Sequence, residues 1–150
     1  MALKPTRVTI DDSVAYFMQE VAERGCVVIW DTSLTGLGNL DDPNAVVSIP
    51  TGTIGTPVGI LMNDVVNKDL TITHLNAHKD EVQVNGKVTV LKHGTVQTNR
   101  LKTGDTPVAG DDAHYTTDGE LTSSVTSSAV VGKFASSVDA DGYVVVDVRL

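Results

Sequence analysis

The chain has 150 residues, a formal net charge of −8, one cysteine, and 41% hydrophobic but only 4% aromatic residues. That length predicts one domain, and that composition predicts a core of Val, Ile, Leu and Ala, which suits sheet packing. The acidity argues against a phosphate-backbone or anionic-membrane binder, since both need a concentrated basic surface, and the lone Cys26 excludes an intrachain disulfide.

Residues 1–10 read as an extended arm, because Pro5 discourages helix before it and Val8 and Ile10 alternate with polar neighbours. Asp11 and Asp12 then precede Val14, Phe17, Met18, Val21 and Ala22, a stripe of period 3.6 that stops at Gly25. An acidic cap, an apolar stripe and a closing glycine predict one short helix. Residues 26–30 form an apolar run that predicts a buried strand, with Cys26 as a small hydrophobe and Trp30 inside it.

Residues 31–44 carry Gly, Asn, Thr and Asp42-Pro43 around Leu34, Leu37 and Leu40, and predict a surface loop. Residues 45–49 read as a strand, followed by brief apolar pieces between glycines. In residues 82–91, Asn85-Gly86 predicts a hairpin. The turn type favours a two-residue loop, whereas the valine pattern wants Val84 opposite Val88, and the pattern decides the face. Asp118-Gly119 and Asp141-Gly142 predict further turns. Val144, Val146, Val148 and Leu150 share one face of a closing strand. Short strands at close spacing predict a mainly β chain, a compact β-barrel or β-sandwich, with residues 11–150 as a single β-rich domain.

The chemistry-bearing residues form no convincing catalytic set. His74 and His78, with Asp80 or Glu81 near, have the spacing of a zinc grip, but Thr71, Thr73 and Asn76 oppose the helix it needs. Asp139-Ala140-Asp141-Gly142 begins like a calcium loop and continues into valines instead of oxygen ligands. Asp111, Asp112, His114 and Asp118 offer proton-transfer groups scattered through a turn-rich stretch. Gly52, Gly55 and Gly59 lack the lysine and long helix of a phosphate cradle. The expectation is therefore no enzyme, no cofactor and no metal. The first seven residues lack a secretory pattern, and no apolar run reaches membrane-spanning length, so synthesis and use without export are expected.

Gly104-Asp105 leads to Tyr115; Asp118-Gly119-Glu120-Leu121-Thr122, Val131-Gly132-Lys133-Phe134-Ala135 and the Asp139-to-Val148 turn and strand follow. In this order of features the C-terminal half resembles the head decoration, or capsid cement, proteins of tailed bacteriophages. Glu23-Arg24-Gly25-Cys26-Val27-Val28 and Thr56-Pro57-Val58-Gly59-Ile60 are similar to segments nearer that family's N-terminus. The resemblance implies a small β domain, often trimeric, made in the host cytoplasm and carried on the outer surface of the virion capsid. Its partners would be the major capsid protein and two further copies of itself, with no nucleic acid and no membrane, and there are no catalytic residues to carry over. Position in the chain nominates Leu3, Pro5, Arg7 and Val8 of the arm for the capsid contact, with Leu34, Leu37 and Leu40 second. Two other readings stand beside it: a β-rich glycan- or host-binding module of a phage tail or fibre, and a small enzyme or metal protein using His74 and His78.

Overall fold

The computed structural model describes residues 3–4, 8–31, 46–52, 54–67, 81–125 and 129–150. Among them are eleven strands and no helix. They are β1 (Val8–Met18), β2 (Val27–Trp30), β3 (Val46–Ser48), β4 (Pro57–Leu61), β5 (Asp64–Val66), β6 (Glu81–Gln83), β7 (Lys87–Thr98), β8 (Asp112–Tyr115), β9 (Leu121–Thr122), β10 (Gly132–Phe134) and β11 (Val144–Arg149). Nine join one sheet in the order β1-β3-β2-β4-β7-β11-β10-β8-β9, and β1 also pairs with β7. That extra pairing closes β1, β3, β2, β4 and β7 into a ring, leaving the remaining strands as a sheet that continues from β7. The barrel expectation holds in this nearly closed form.

β7 is the shared spine. Along one edge it carries β1, from Val8 opposite Thr95 to Phe17 opposite Lys87. Along the other it carries β4 at Val90 and Leu91, then β11 from His93 to Thr98. Its twelve residues therefore span both the ring and the second sheet. Close approach at the junctions demands small residues: a Cβ on Gly59 would stand 2.2 Å from the Leu91 carbonyl oxygen, and one on Gly132 would stand 2.0 Å from that of Asp147.

Two apolar clusters lie on opposite faces of the wall formed by β2, β4 and β7. Cys26, Val28, Leu61, Val88 and Val90 pack with Tyr16, Phe17 and Met18. Val27, Ile29, Ile60, Leu91 and Val96 pack with Tyr115, Leu121, Phe134 and the inward valines of β11. A wall buried on both sides explains why 26–29 reads as a continuous apolar run without alternation. Tyr115, fully buried, donates its hydroxyl to the Gly55 carbonyl and fastens the second sheet to the loop before β4.

The short N-terminal helix expected over the Val14-to-Ala22 stripe is absent; those residues continue β1 and then run irregularly to Gly25. Three register shifts against β7 break the alternation of β1 ahead of Tyr16, and Tyr16, Phe17 and Met18 are then all buried in succession. A bulged strand and a helical stripe give the same apolar spacing here. The long ladder to β7 decides between them through backbone bonds that local sequence cannot register. The expected hairpin over 82–91 is also corrected. A tight turn does form, with the Gly86 amide donating to the Gln83 carbonyl and Asn85 at a φ of 68°. Yet β6 pairs in parallel with β5 in a separate two-stranded sheet, because both edges of β7 are already occupied. Trp30 is 40% exposed instead of buried in its run, its ring edge-on to Tyr16 at 5.4 Å. Leu150 falls just beyond β11 and is 45% exposed, although its amide still donates to the Lys92 carbonyl.

Candidate functional site

The N-terminal segment is where exposed apolar surface and open backbone coincide. Leu3 and Val8 both bridge to β7, at Thr98 and Thr95 respectively. Leu3 is buried in the larger cluster, and Lys4 donates its amide to the Gln97 carbonyl. The Lys4 ammonium reaches Asp139 at 2.8 Å and Asp141 at 3.5 Å, and stands 4.4 Å from the centre of the Tyr143 ring. The hydrogen bond to Asp139 is the main cause that raises the Lys4 pKa, partly opposed by desolvation. That same bond, followed by the Tyr143 amide, holds the Asp139 carboxyl below its ordinary value.

From Val8 to Asp12 the chain is exposed at every position, with Val8 at 58% and Ile10 at 66%. β3 meets β1 only at Phe17 and Met18, so among the described residues the side of 8–12 away from β7 has no strand beside it. Gly94 makes this apposition possible: its φ is 148°, and a Cβ there would stand 2.2 Å from the Val8 carbonyl oxygen. Behind the strand, Asp11 lies opposite His93, which in turn lies opposite Arg149 of β11.

The nominated contact residues thus separate. Leu3 is inside the protein's own core and Val8 is on the open strand; Pro5, Arg7, Leu34, Leu37 and Leu40 lie outside the described residues, as do His74, His78 and Asp80. Reading the acidic pair as a helix cap hid Ile10, Asp11 and Asp12 from the prediction. The alternation of Val8 and Ile10 with Thr9, continued past Asp12 as strand, was the signal that would have found them.

The other sequence candidates resolve into structural duties. Asp139 accepts from the amides of Asp141 at 3.0 Å and Tyr143 at 2.7 Å, so its carboxylate closes the turn before β11. Asp112 accepts from the Lys133 ammonium at 2.7 Å, which lowers its pKa, while His114 is buried on β8 and Asp118 sits in the turn to β9. Burial pushes the Cys26 thiol up to about 12, the condition of an unreactive core residue. Among the described residues no group of three or more His, Cys, Asp or Glu side chains has the geometry to hold a metal ion. No helix there is long and apolar enough to cross a membrane.

A family model described as structural cement protein (E217 gp24/Pam3 gp6) matches residues 12–149. No curated protein matches the chain.

Proposed function

The chain belongs to the phage structural cement protein family, and from that premise we propose that it binds the outer surface of the phage head and reinforces the major capsid lattice as a trimer. Capsid stabilisation follows from the family itself; the outer face, the trimer and the direct contact with the major capsid protein are the finer reading. The match over residues 12–149 is the observation that carries it. The exposed strand at 8–12, which presents Val8 and Ile10 to solvent, suits a protein that works by contact. A ligand that binds only the assembled shell shifts the equilibrium toward assembly, and many symmetric copies multiply modest contacts.

In this reading Val8, with Pro5 and Arg7, touches the shell, and Leu34, Leu37 and Leu40 form a second contact. Leu3, packed in the core, anchors the segment to the domain. The deciding experiment is cosedimentation of the purified protein with mature undecorated heads, with unexpanded procapsids as control. Saturable binding at a fixed ratio to shell subunits, stronger on mature heads, is expected. A folded protein that binds neither particle rejects the reading for that capsid. Light scattering after gel filtration tests the trimer separately.

A further inference from the structure

β1 leaves a strand half-used. Its residues 8–12 pair with β7 on one side, while β3 begins only at Phe17. In an antiparallel ladder alternate residues turn their N–H and C=O groups away from the existing partner. Such edges are blunted by charged side chains, proline, β-bulges or a covering element; this one carries bulges and two carboxylates, which restrict the segment that can pair with it, and among the described residues no strand covers it. Here the residues are Val8, Thr9 and Ile10, which are β-branched and suited to strand pairing, followed by two carboxylates. All five are exposed, and among the described residues neither Asp11 nor Asp12 has an ion-pair partner.

We infer that residues 8–12 are a strand-docking edge that takes an extended segment of the shell protein, one that sets a lysine or arginine against Asp11 and Asp12. The inference rests on the cement reading and gives it a contact chemistry. Main-chain hydrogen bonds supply affinity in such augmentation, and side chains supply register. The acidic pair at one end of an otherwise apolar edge fixes the register by charge, since opposite charges across a strand pair stabilise it and like charges oppose it. A second copy of this chain is disfavoured as the occupant by overall charge, since each copy carries a net charge of −8 and an acidic edge finds no opposite charge on another copy of itself. The register shifts after Thr9 and Asp11 increase the local twist of this end of β1, so an occupant must follow a bulged strand.

Hydrogen exchange on the full chain, free and bound to mature heads, tests the inference alongside binding by the wild type, Ile10→Lys and Asp11→Lys/Asp12→Lys. Val125→Lys serves as an exposed control, because Val125 is 88% exposed on a separate segment. The expected result is slowed exchange at residues 8–12 only when shells are present. The double lysine variant should bind about tenfold or more weakly, as for loss of a paired interfacial charge, and Val125→Lys should bind like the wild type. Circular dichroism confirms that each variant is folded, and exchange in the wild type gives the answer without any variant. Shell binding with no change at 8–12 overturns the docking edge and leaves the cement reading standing. Protection at 8–12 in the free protein, together with a dimer in solution, assigns the edge to a second copy and also overturns it. Failure of the wild type to bind shells removes both readings at once.

Discussion

Asp105 gathers four donors onto one carboxylate: the Thr122 hydroxyl at 2.6 Å, the Ser123 amide at 2.6 Å and hydroxyl at 2.7 Å, and the Thr106 amide at 2.9 Å. This knot holds the end of β9 against the loop before β8, and Thr122 is fully buried. Burial acts to raise the Asp105 pKa, but the hydrogen bonds from Thr122, Ser123 and Thr106 outweigh it, so the group titrates below its ordinary 3.8. A depressed carboxylate stabilises the fold fully above its unfolded value, and that contribution disappears as pH falls through the folded value. Asp105→Ala should therefore cost about 1–3 kcal/mol at neutral pH, the range for stranding buried donors. The difference from wild type should shrink once the solution is well below pH 3.8. Urea unfolding at both pH values checks this, and an equal difference at each would refute it. Asp112 and Asp139 act with the same sign. Lys4 acts at the other end of the scale. Its pKa is raised from 10.5, so its contribution is complete below that value and is lost as pH rises through the folded one.

At the level of strands, the sequence was legible where a rule of period two or an uninterrupted apolar run operated. Val27–Trp30 and Val144–Arg149 are strands where the pattern put them, and the turns at Gly119 and Gly142 have the positive φ their glycines announced. It misled where pairing between distant segments overrode local pattern. Asp11 and Asp12 look like a cap, and Val14 to Ala22 look like a helical stripe, until β7 supplies a twelve-residue template for a bulged strand. Asn85-Gly86 does make a turn, but no dipeptide specifies which strand the chain meets afterwards. Of the exposed strand at 8–12, position in the chain points to Val8, while local pattern places Ile10 in the arm and gives the acidic pair to a helix cap. Packing between strands also sets how much change each junction tolerates. Gly132→Ala places a methyl 2.0 Å from the Asp147 carbonyl oxygen, so β10 and β11 must separate locally. A loss of about 1–3 kcal/mol is expected, as for overpacking elsewhere. Denaturation with an unchanged midpoint would show that the sheet yields without cost.

Across the whole molecule, the defining pairings join the two ends of the chain, since β1 and β11 both lie against β7. Non-local sheets of this sort fold slowly because chain closure precedes any reward from contacts. Refolding by stopped-flow dilution should take on the order of milliseconds to seconds, and relaxation in microseconds would contradict that topology. The same three neighbouring strands have a mechanical consequence. Because β1 and β11 are each antiparallel to β7, they run in the same direction as one another. Tension pulling the chain out at Leu3 and at Leu150 would then drag β1 and β11 in opposite senses along their lengths, shearing both ladders at once instead of unzipping them bond by bond. Forced unfolding is governed by the unfolding barrier, not by equilibrium stability. Stretching single molecules through these two ends should accordingly demand a higher force than stretching through Leu3 and Tyr115.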